Sequence, residues 1–195
     1  VAETVPGSGV DYNKFKPVVS REKDHEIFIF LFIGRLIKDK GIFEYFEAAR
    51  CMRKKFPQTS FHVIGPFWTQ TLKKNTITPA QLKNWIDEGI IDYLGEKKDV
   101  RKFIAEADCI VLPSYREGTS NILLEAASME KPVITTNTTG CKEIVEDGIT
   151  GLLCEVKDEK DLAAKMEVML KLSYDERNNM GKKARQKIIK EYDKQ

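Results

Sequence analysis

Residues 27–41 read IFIFLFIGRLIKDKG, and this stretch decides the fold. Its first seven residues, Ile27 to Ile33, are all apolar and carry only β-branched, aromatic or leucine side chains. A strand with one wet face would alternate with polar residues. A run apolar on both faces fits a parallel strand buried between two layers of helices. Gly34 ends the run. From Gly41 to Lys55, the apolar residues Ile42, Phe43, Phe46, Ala49 and Met52 recur at helical spacing.

The same alternation continues along the chain. Apolar runs at Phe61–Ile64, Ile90–Leu94, Cys109–Leu112, Val133–Thr135 and Gly151–Leu153 predict further strands. Helical patterns at Pro79–Glu88, Val100–Glu106, Ile122–Met129, Asp161–Leu172 and Asp175–Tyr192 lie between or after them. This order predicts an α/β fold: a Rossmann-like parallel sheet of about six strands with helices on both faces. Residues 1–17, VAETVPGSGVDYNKFKP, have linker composition. The expected division is an interdomain linker at 1–24, a ligand-binding domain at 25–172 and a C-terminal helix at 173–195. A chain that opens in a linker is expected to be a piece of a longer protein.

Composition narrows the function. The chain has 195 residues, 42% hydrophobic and 32% charged, which fits a folded domain with a sizeable core. Thirty-two Lys+Arg against thirty Asp+Glu leave a net charge of +2, so no global basic field favours nucleic acid. Lys182, Lys183, Arg185, Lys187 and Lys190 cluster in the last helix and read as a solvated face. Cys51, Cys109, Cys141 and Cys154 form no Cys-x-x-Cys pair, and neither His25 nor His62 has a ligand-spaced neighbour. A zinc site is not expected, and reduced thiols in a cytoplasmic protein are. His25 and His62 read as structural or surface residues. No apolar run reaches membrane-spanning length, and the sequon at Asn137 is a chance match without secretion.

In an open parallel sheet, ligands bind beyond the carboxyl ends of the strands. Three polar segments fall there. After the first strand, Gly34 to Gly41 place Arg35 and Lys40, with Lys38 offset, where a phosphate would sit near a helix start. Neither a Walker A loop nor Gly-x-Gly-x-x-Gly is present, and an ordinary basic loop paired to Asp39 is the competing reading. After the fourth strand, Glu117 and Glu125 stand eight positions apart across Gly118, Thr119, Ser120 and Asn121. Thr119 or Ser120 is a candidate N-cap. Carboxylates that accept from hydroxyls, on either side of a helix N-terminus that attracts phosphate, suit a sugar joined to a nucleoside diphosphate. An N-cap loop with two solvated glutamates is the alternative. After the fifth strand, Thr135 to Cys141 look helix-initiating, with Glu143 in the first turn. Here direct ligand contact and an ordinary polar loop stand level.

Taken together, these segments resemble the C-terminal domain of the retaining glycosyltransferases of family 4, which adopt the GT-B fold. The stretches that carry the resemblance are GSGVDYNKFKP (7–17), FIGRLIKDKG (32–41), YLGEKKDV (93–100), LPSYREGTSNILLEAASMEKPVI (112–134) and EIVEDGITGLL (143–153). They span almost the whole chain in the family's order. The resemblance implies that Arg35 and Lys40 bind the donor diphosphate and that Glu117 lies near the transferred sugar. It implies that Gly34, Gly118, Thr119, Ser120 and Asn121 line the donor site and that Glu125 accepts from the ribose hydroxyls. Tyr93 and Leu94 would lie at the edge where the base is read. Thr119-Ser120 replaces the apolar residue and proline of many members, which bears on sugar preference.

The expected function is thus donor binding in a retaining transferase that uses a nucleotide-sugar, with UDP the expected nucleotide. Arg35, Lys40 and Glu117 would be its catalytic residues. No metal or other cofactor is expected. The partner would be an N-terminal acceptor domain of the same protein, and acceptors would be glycans or lipid-linked sugars of surface-polysaccharide synthesis. Peripheral membrane association is expected of the full-length protein alone, and the isolated chain is expected to be inactive. A non-catalytic nucleotide or phosphate module and a sugar-nucleotide epimerase remain alternatives. The pairing of Arg35 and Lys40 with two glutamates favours the transferase.

Overall fold

In the computed structural model, which describes residues 9–18, 27–67 and 75–192, the apolar run becomes strand β1 (Phe28–Ile33) at the heart of a six-stranded sheet. His25, most of the expected linker, and residues 193–195 of the last helix lie outside the described residues. The other strands are β2 (Thr59–Ile64), β3 (Asp92–Tyr93), β4 (Cys109–Leu112), β5 (Val133–Thr136) and β6 (Leu152–Cys154). All pairings are parallel, in the order β3-β2-β1-β4-β5-β6. This is the doubly wound Rossmann-like order, and its direction reverses between β1 and β4.

The helices are α1 (Ile42–Lys55), α2 (Pro79–Asp87), α3 (Arg101–Glu106), α4 (Asn121–Ser128), α5 (Glu159–Lys171) and α6 (Tyr174–Glu191). Right-handed crossovers send β1–α1–β2 and β4–α4–β5 to opposite faces of the sheet. Accordingly α1 packs against α5, and α4 packs against α6. Local chemistry fixes several starts. Thr78 with Gln81 and Ser173 with Glu176 form reciprocal capping boxes, and Asp158 accepts from the amides of Lys160 and Asp161.

The core is aromatic under β1 and β2. Phe30, Phe32, Tyr45, Phe46 and Phe61 are fully enclosed. Phe30 stacks on Phe61 with ring centroids 5.4 Å apart, and Tyr45 meets Phe61 edge-on at 6.1 Å. The Tyr45 hydroxyl donates towards two backbone carbonyls, Phe30 O at 3.0 Å and His62 O at 3.1 Å. One side chain of α1 therefore binds the backbones of both β1 and β2. Burial holds the Tyr45 hydroxyl well above the usual phenol range, so it stays a donor.

The structure differs from the sequence expectation at three points. The third strand shrinks to two residues, because the Ile90 amide bonds Trp85 O at the end of α2 and is lost to the ladder. The segment after β5 forms successive turns with no helix at Glu143. Gly140 there takes a left-handed φ of +85° that interrupts helical winding. The basic cluster of α6 is solvated only at Lys182, Lys183 and Lys190. Arg185 turns inward to Ser128 O and Phe15 O, and Lys187 bonds Glu146 at 2.6 Å.

Replacing Tyr45 by Phe leaves two buried carbonyls without their side-chain donor. The expected result is a loss of about 1–2 kcal/mol in thermal or urea unfolding, with the fold retained.

Candidate functional site

Gly41 is where two strand-end loops meet. It has φ +71° and closes a one-turn 3-10 helix at Lys38–Lys40 before α1 begins. A Cβ on it would lie 2.0 Å from the carbonyl oxygen of Pro113, so only glycine fits against the loop after β4. Beside that contact, the Asp39 carbonyl accepts from Ser114 Oγ and from the Tyr115 amide, both at 2.9 Å. The loop after β1 and the loop after β4 are thereby joined, although about seventy residues separate them in sequence.

The consequence is a cleft of about 390 Å3 at the point where the sheet order reverses. Gly34 and Lys40 line it from the β1 side, Val100 from the loop before α3, and Glu117, Thr119, Ser120, Asn121 and Glu125 from the β4 side. Lys40 Nζ lies 2.5 Å from Glu117 Oε1, with the two side chains 19% and 9% exposed. They neutralise each other, so an anion that binds Lys40 competes with Glu117 for the same ammonium.

Ser120 occupies the N-cap position of α4, but its side chain is buried and makes no capping hydrogen bond. The expectation of a side-chain cap at Ser120 or Thr119 is corrected. The start of α4 has no side-chain cap and opens on the cleft through Ser120, Asn121 and Ile122, where its dipole favours an anion.

Glu125, one turn further on, lies half-buried. Burial pushes its carboxyl up to about 7, Lys14 draws it down, and Asp99 adds to the rise. It therefore changes charge near neutrality.

Two other supports were not legible in the sequence. Tyr115 donates to Glu44 Oε1 of α1 at 2.6 Å, and Lys157 lies 4.9 Å from the Tyr115 ring. The second oxygen of Glu44 is buried without a hydrogen-bond partner among the described residues. Burial and the Glu44 bond raise the Tyr115 hydroxyl above the usual range, which keeps it a donor. The segment after β5 acts as a prop: a Cβ on Gly140 would lie 1.9 Å from Gly118 O and 2.4 Å from Glu117 O. Its Gly140 amide is held in turn by Glu143, and Thr136 Oγ1 bonds Ser114 O.

Of the residues expected at the site, Gly34, Lys40, Glu117, Thr119, Ser120, Asn121 and Glu125 share the cleft. Arg35 is exposed at the end of β1, and Gly118 is exposed on the loop between the glutamates; neither lines the cleft. Tyr93, in β3, and Leu94 after it lie two strands out from β1. There the Tyr93 hydroxyl donates to Gly65 O at 2.9 Å, and its ring meets Phe67 edge-on at 5.9 Å. His62 stands in β2, 3.7 Å from Asp92, and burial lowers its pKa.

The fold and this cleft define a Rossmann-like ligand-binding domain with its site at the topological switch point. Residues 14–187 match the model of the family described as glycosyl transferases group 1. The chain belongs to that family. Over 196 residues it is 30% identical to the capsular polysaccharide biosynthesis glycosyltransferase CapM of Staphylococcus aureus, covering 96% of this chain and 50% of that protein. The C-terminal domain of a glycosyl transferase group 1 family protein, LpcC from Francisella tularensis, superimposes with a TM-score of 0.81. It is 26% identical, with 96% of this chain and 100% of that one covered. Anabaena HepE, solved in complex with UDP, has a TM-score of 0.80 at 21% identity, covering 97% of this chain and 53% of that one. The chain spans about half the length of the curated relatives it matches across most of its own length. Its architecture is that of GT-B glycosyltransferase C-terminal domains.

The raised carboxyl of Glu125 has a consequence for stability. Between its unfolded value near 4.5 and its folded value near 7, the native state binds more protons than the unfolded state, so this group lowers stability as pH rises through that window. Glu125→Gln removes the effect. The variant is expected to gain melting temperature over the wild type at pH 8 and little or none at pH 4.5, as read by calorimetry.

Proposed function

We propose that this chain is the donor-binding domain of a retaining glycosyltransferase. In this reading the whole protein transfers a sugar from a nucleoside-diphosphate sugar, with UDP as the nucleotide, to a glycan or lipid-linked acceptor in surface-polysaccharide synthesis. The observation that carries the proposal is the meeting of Lys40, Glu117, Glu125 and the uncapped start of α4 in one cleft at the strand ends. A bare phosphate site needs the cation and the amides. It has no use for two carboxylates. The UDP complex of HepE and the role named for CapM support the choice of nucleotide and pathway class.

The division of labour follows from charge. The diphosphate lies against Lys40 and the α4 N-terminus, with Arg35 approaching from the rim. As the bond from the sugar's anomeric carbon to the diphosphate oxygen breaks, negative charge grows on the diphosphate, and these groups stabilise it. When the diphosphate takes Lys40, Glu117 is released to accept hydrogen bonds from sugar hydroxyls. Glu125 accepts from the ribose hydroxyls. A new bond forms from the acceptor oxygen to the same face of the anomeric carbon. The acceptor proton leaves to a group outside these residues, which the reading assigns to an N-terminal acceptor domain. Two cations and a helix dipole offset the diphosphate charge, so the reading requires no metal ion. It places the reaction in the cytoplasm, with the full-length protein at the membrane surface only peripherally.

Calorimetry with UDP, GDP and ADP on this chain, in EDTA, tests the proposal. UDP is expected to bind, with Lys40→Ala and Glu125→Gln each weakening it about tenfold or more. In the full-length protein, Lys40→Ala is expected to lower kcat by about a hundredfold, on the scale of one lost preorganised donor. No nucleotide binding, or unchanged affinity in both variants, would overturn the assignment.

A further inference from the structure

Glu125 faces a second hollow besides the cleft. It has a volume of about 480 Å3 and is lined by Asp11, Lys14 and Phe15 on one side and by Asn121, Leu124 and Glu125 of α4 on the other. The segment that carries Lys14 has loop composition, yet it is docked. Val10 is buried in the core, and its amide bonds Tyr192 O at 3.0 Å. The Asp11 carboxylate accepts from the amides of Asn13 and Lys14 at 3.0 and 2.9 Å, closing a tight turn. The Phe15 carbonyl accepts from Ser128 Oγ at 2.7 Å and Arg185 Nη1 at 3.3 Å, and Tyr12 O accepts from Arg185 Nη2 at 3.4 Å. Lys14 thus stands on a fixed backbone across the hollow from Glu125, with its ammonium 5.7 Å from the Phe15 ring.

The charges around Glu125 can be sorted by their commitments. Across the cleft, Lys40 and Glu117 neutralise each other. Asp11 is engaged with two amides. Asp99, before α3, is held ionised at about 2 by Arg101 and acts against a charge on Glu125. Lys14 is the cation that acts for it.

We propose that Lys14 is a positioning residue of the donor site, which favours the charged form of the Glu125 carboxylate from across the hollow the two residues line. The inference rests on the assignment of Glu125 to the nucleotide's ribose hydroxyls. Without Lys14, burial and Asp99 both favour the protonated carboxyl, which is the weaker acceptor. The segment before β1 would then be part of the donor site as well as a connection to it. Lys14 is exposed, so its influence must fade with salt.

Carboxyl NMR of the 195-residue chain tests this directly, with Glu125→Gln used to assign the Glu125 resonance. Lys14→Gln is expected to raise the Glu125 titration midpoint by about half a unit to one unit, and Lys14→Arg to restore it. The shift should shrink at roughly 0.5 M salt. UDP affinity at pH 7 should fall about two- to fivefold in Lys14→Gln, recover by about pH 9, and show no further loss when Lys14→Gln is added to Glu125→Gln. A Glu125 titration identical in wild type and Lys14→Gln would overturn the proposal. So would an affinity loss of equal size at every pH and on the Glu125→Gln background, which would mark a merely structural residue. Unchanged UDP affinity in Glu125→Gln would instead overturn the donor assignment, and the role of Lys14 with it.

Discussion

The contact of Gly41 with the Pro113 carbonyl is the constraint on which the site depends. Parallel strands β1 and β4 are neighbours, but the chains leaving them diverge to opposite faces of the sheet. Left to themselves, the two loops would splay apart. A glycine without a side chain lets them touch, and the Asp39 carbonyl then holds Ser114 and Tyr115 in place. Lys40 is the next residue after Asp39, and Glu117 follows Tyr115 by two. Their ion pair is therefore a product of backbone contacts, and the helix start that shares their cleft is aimed by the same contacts.

Around that point the molecule spends polar groups on rigidity. Tyr115 reaches to α1, Thr136 holds Ser114, and Gly140 lies against the carbonyls of Glu117 and Gly118. Three contacts, one from α1 and two from the end of β5 and the turn after it, thus brace one loop. Preorganised groups can stabilise charge without the cost of reorienting as it develops, which is the physical value of such bracing in a site proposed to meet a diphosphate. The half-buried Glu125 is the counterpart: a carboxylate that desolvation works against, supported by charge from a neighbouring segment.

Much of this was legible in the residues. The IFIFLFI run and the strand–helix alternation are signals of periodicity, and the sheet with its two helical layers follows from them. The segment between Glu117 and Glu125 was legible because its chemistry is local: two carboxylates and a helix start within nine residues. Arg35 illustrates the limit. Its position after a strand placed it at the correct end of the sheet, but its side chain does not line the cleft. Ser120 shows the same limit at an N-cap, where the buried side chain makes no capping hydrogen bond.

The sequence by itself determined the class of fold, the sheet end that carries the site, and most of the side chains that meet there. It could do so because hydrophobic period and loop chemistry are properties of neighbouring residues. The tertiary structure alone decided which polar groups face one another: Lys40 with Glu117, Tyr115 with Glu44, and Lys14 with Glu125 across a shared hollow. The first two pairings join residues more than seventy positions apart, and the third joins residues over a hundred apart. Each depends on crossover connections and close backbone approaches that leave no periodic trace. The same reason governs residues 9–17, whose composition is that of a linker and whose docking against α4 and α6 is fixed by Ser128 and Arg185.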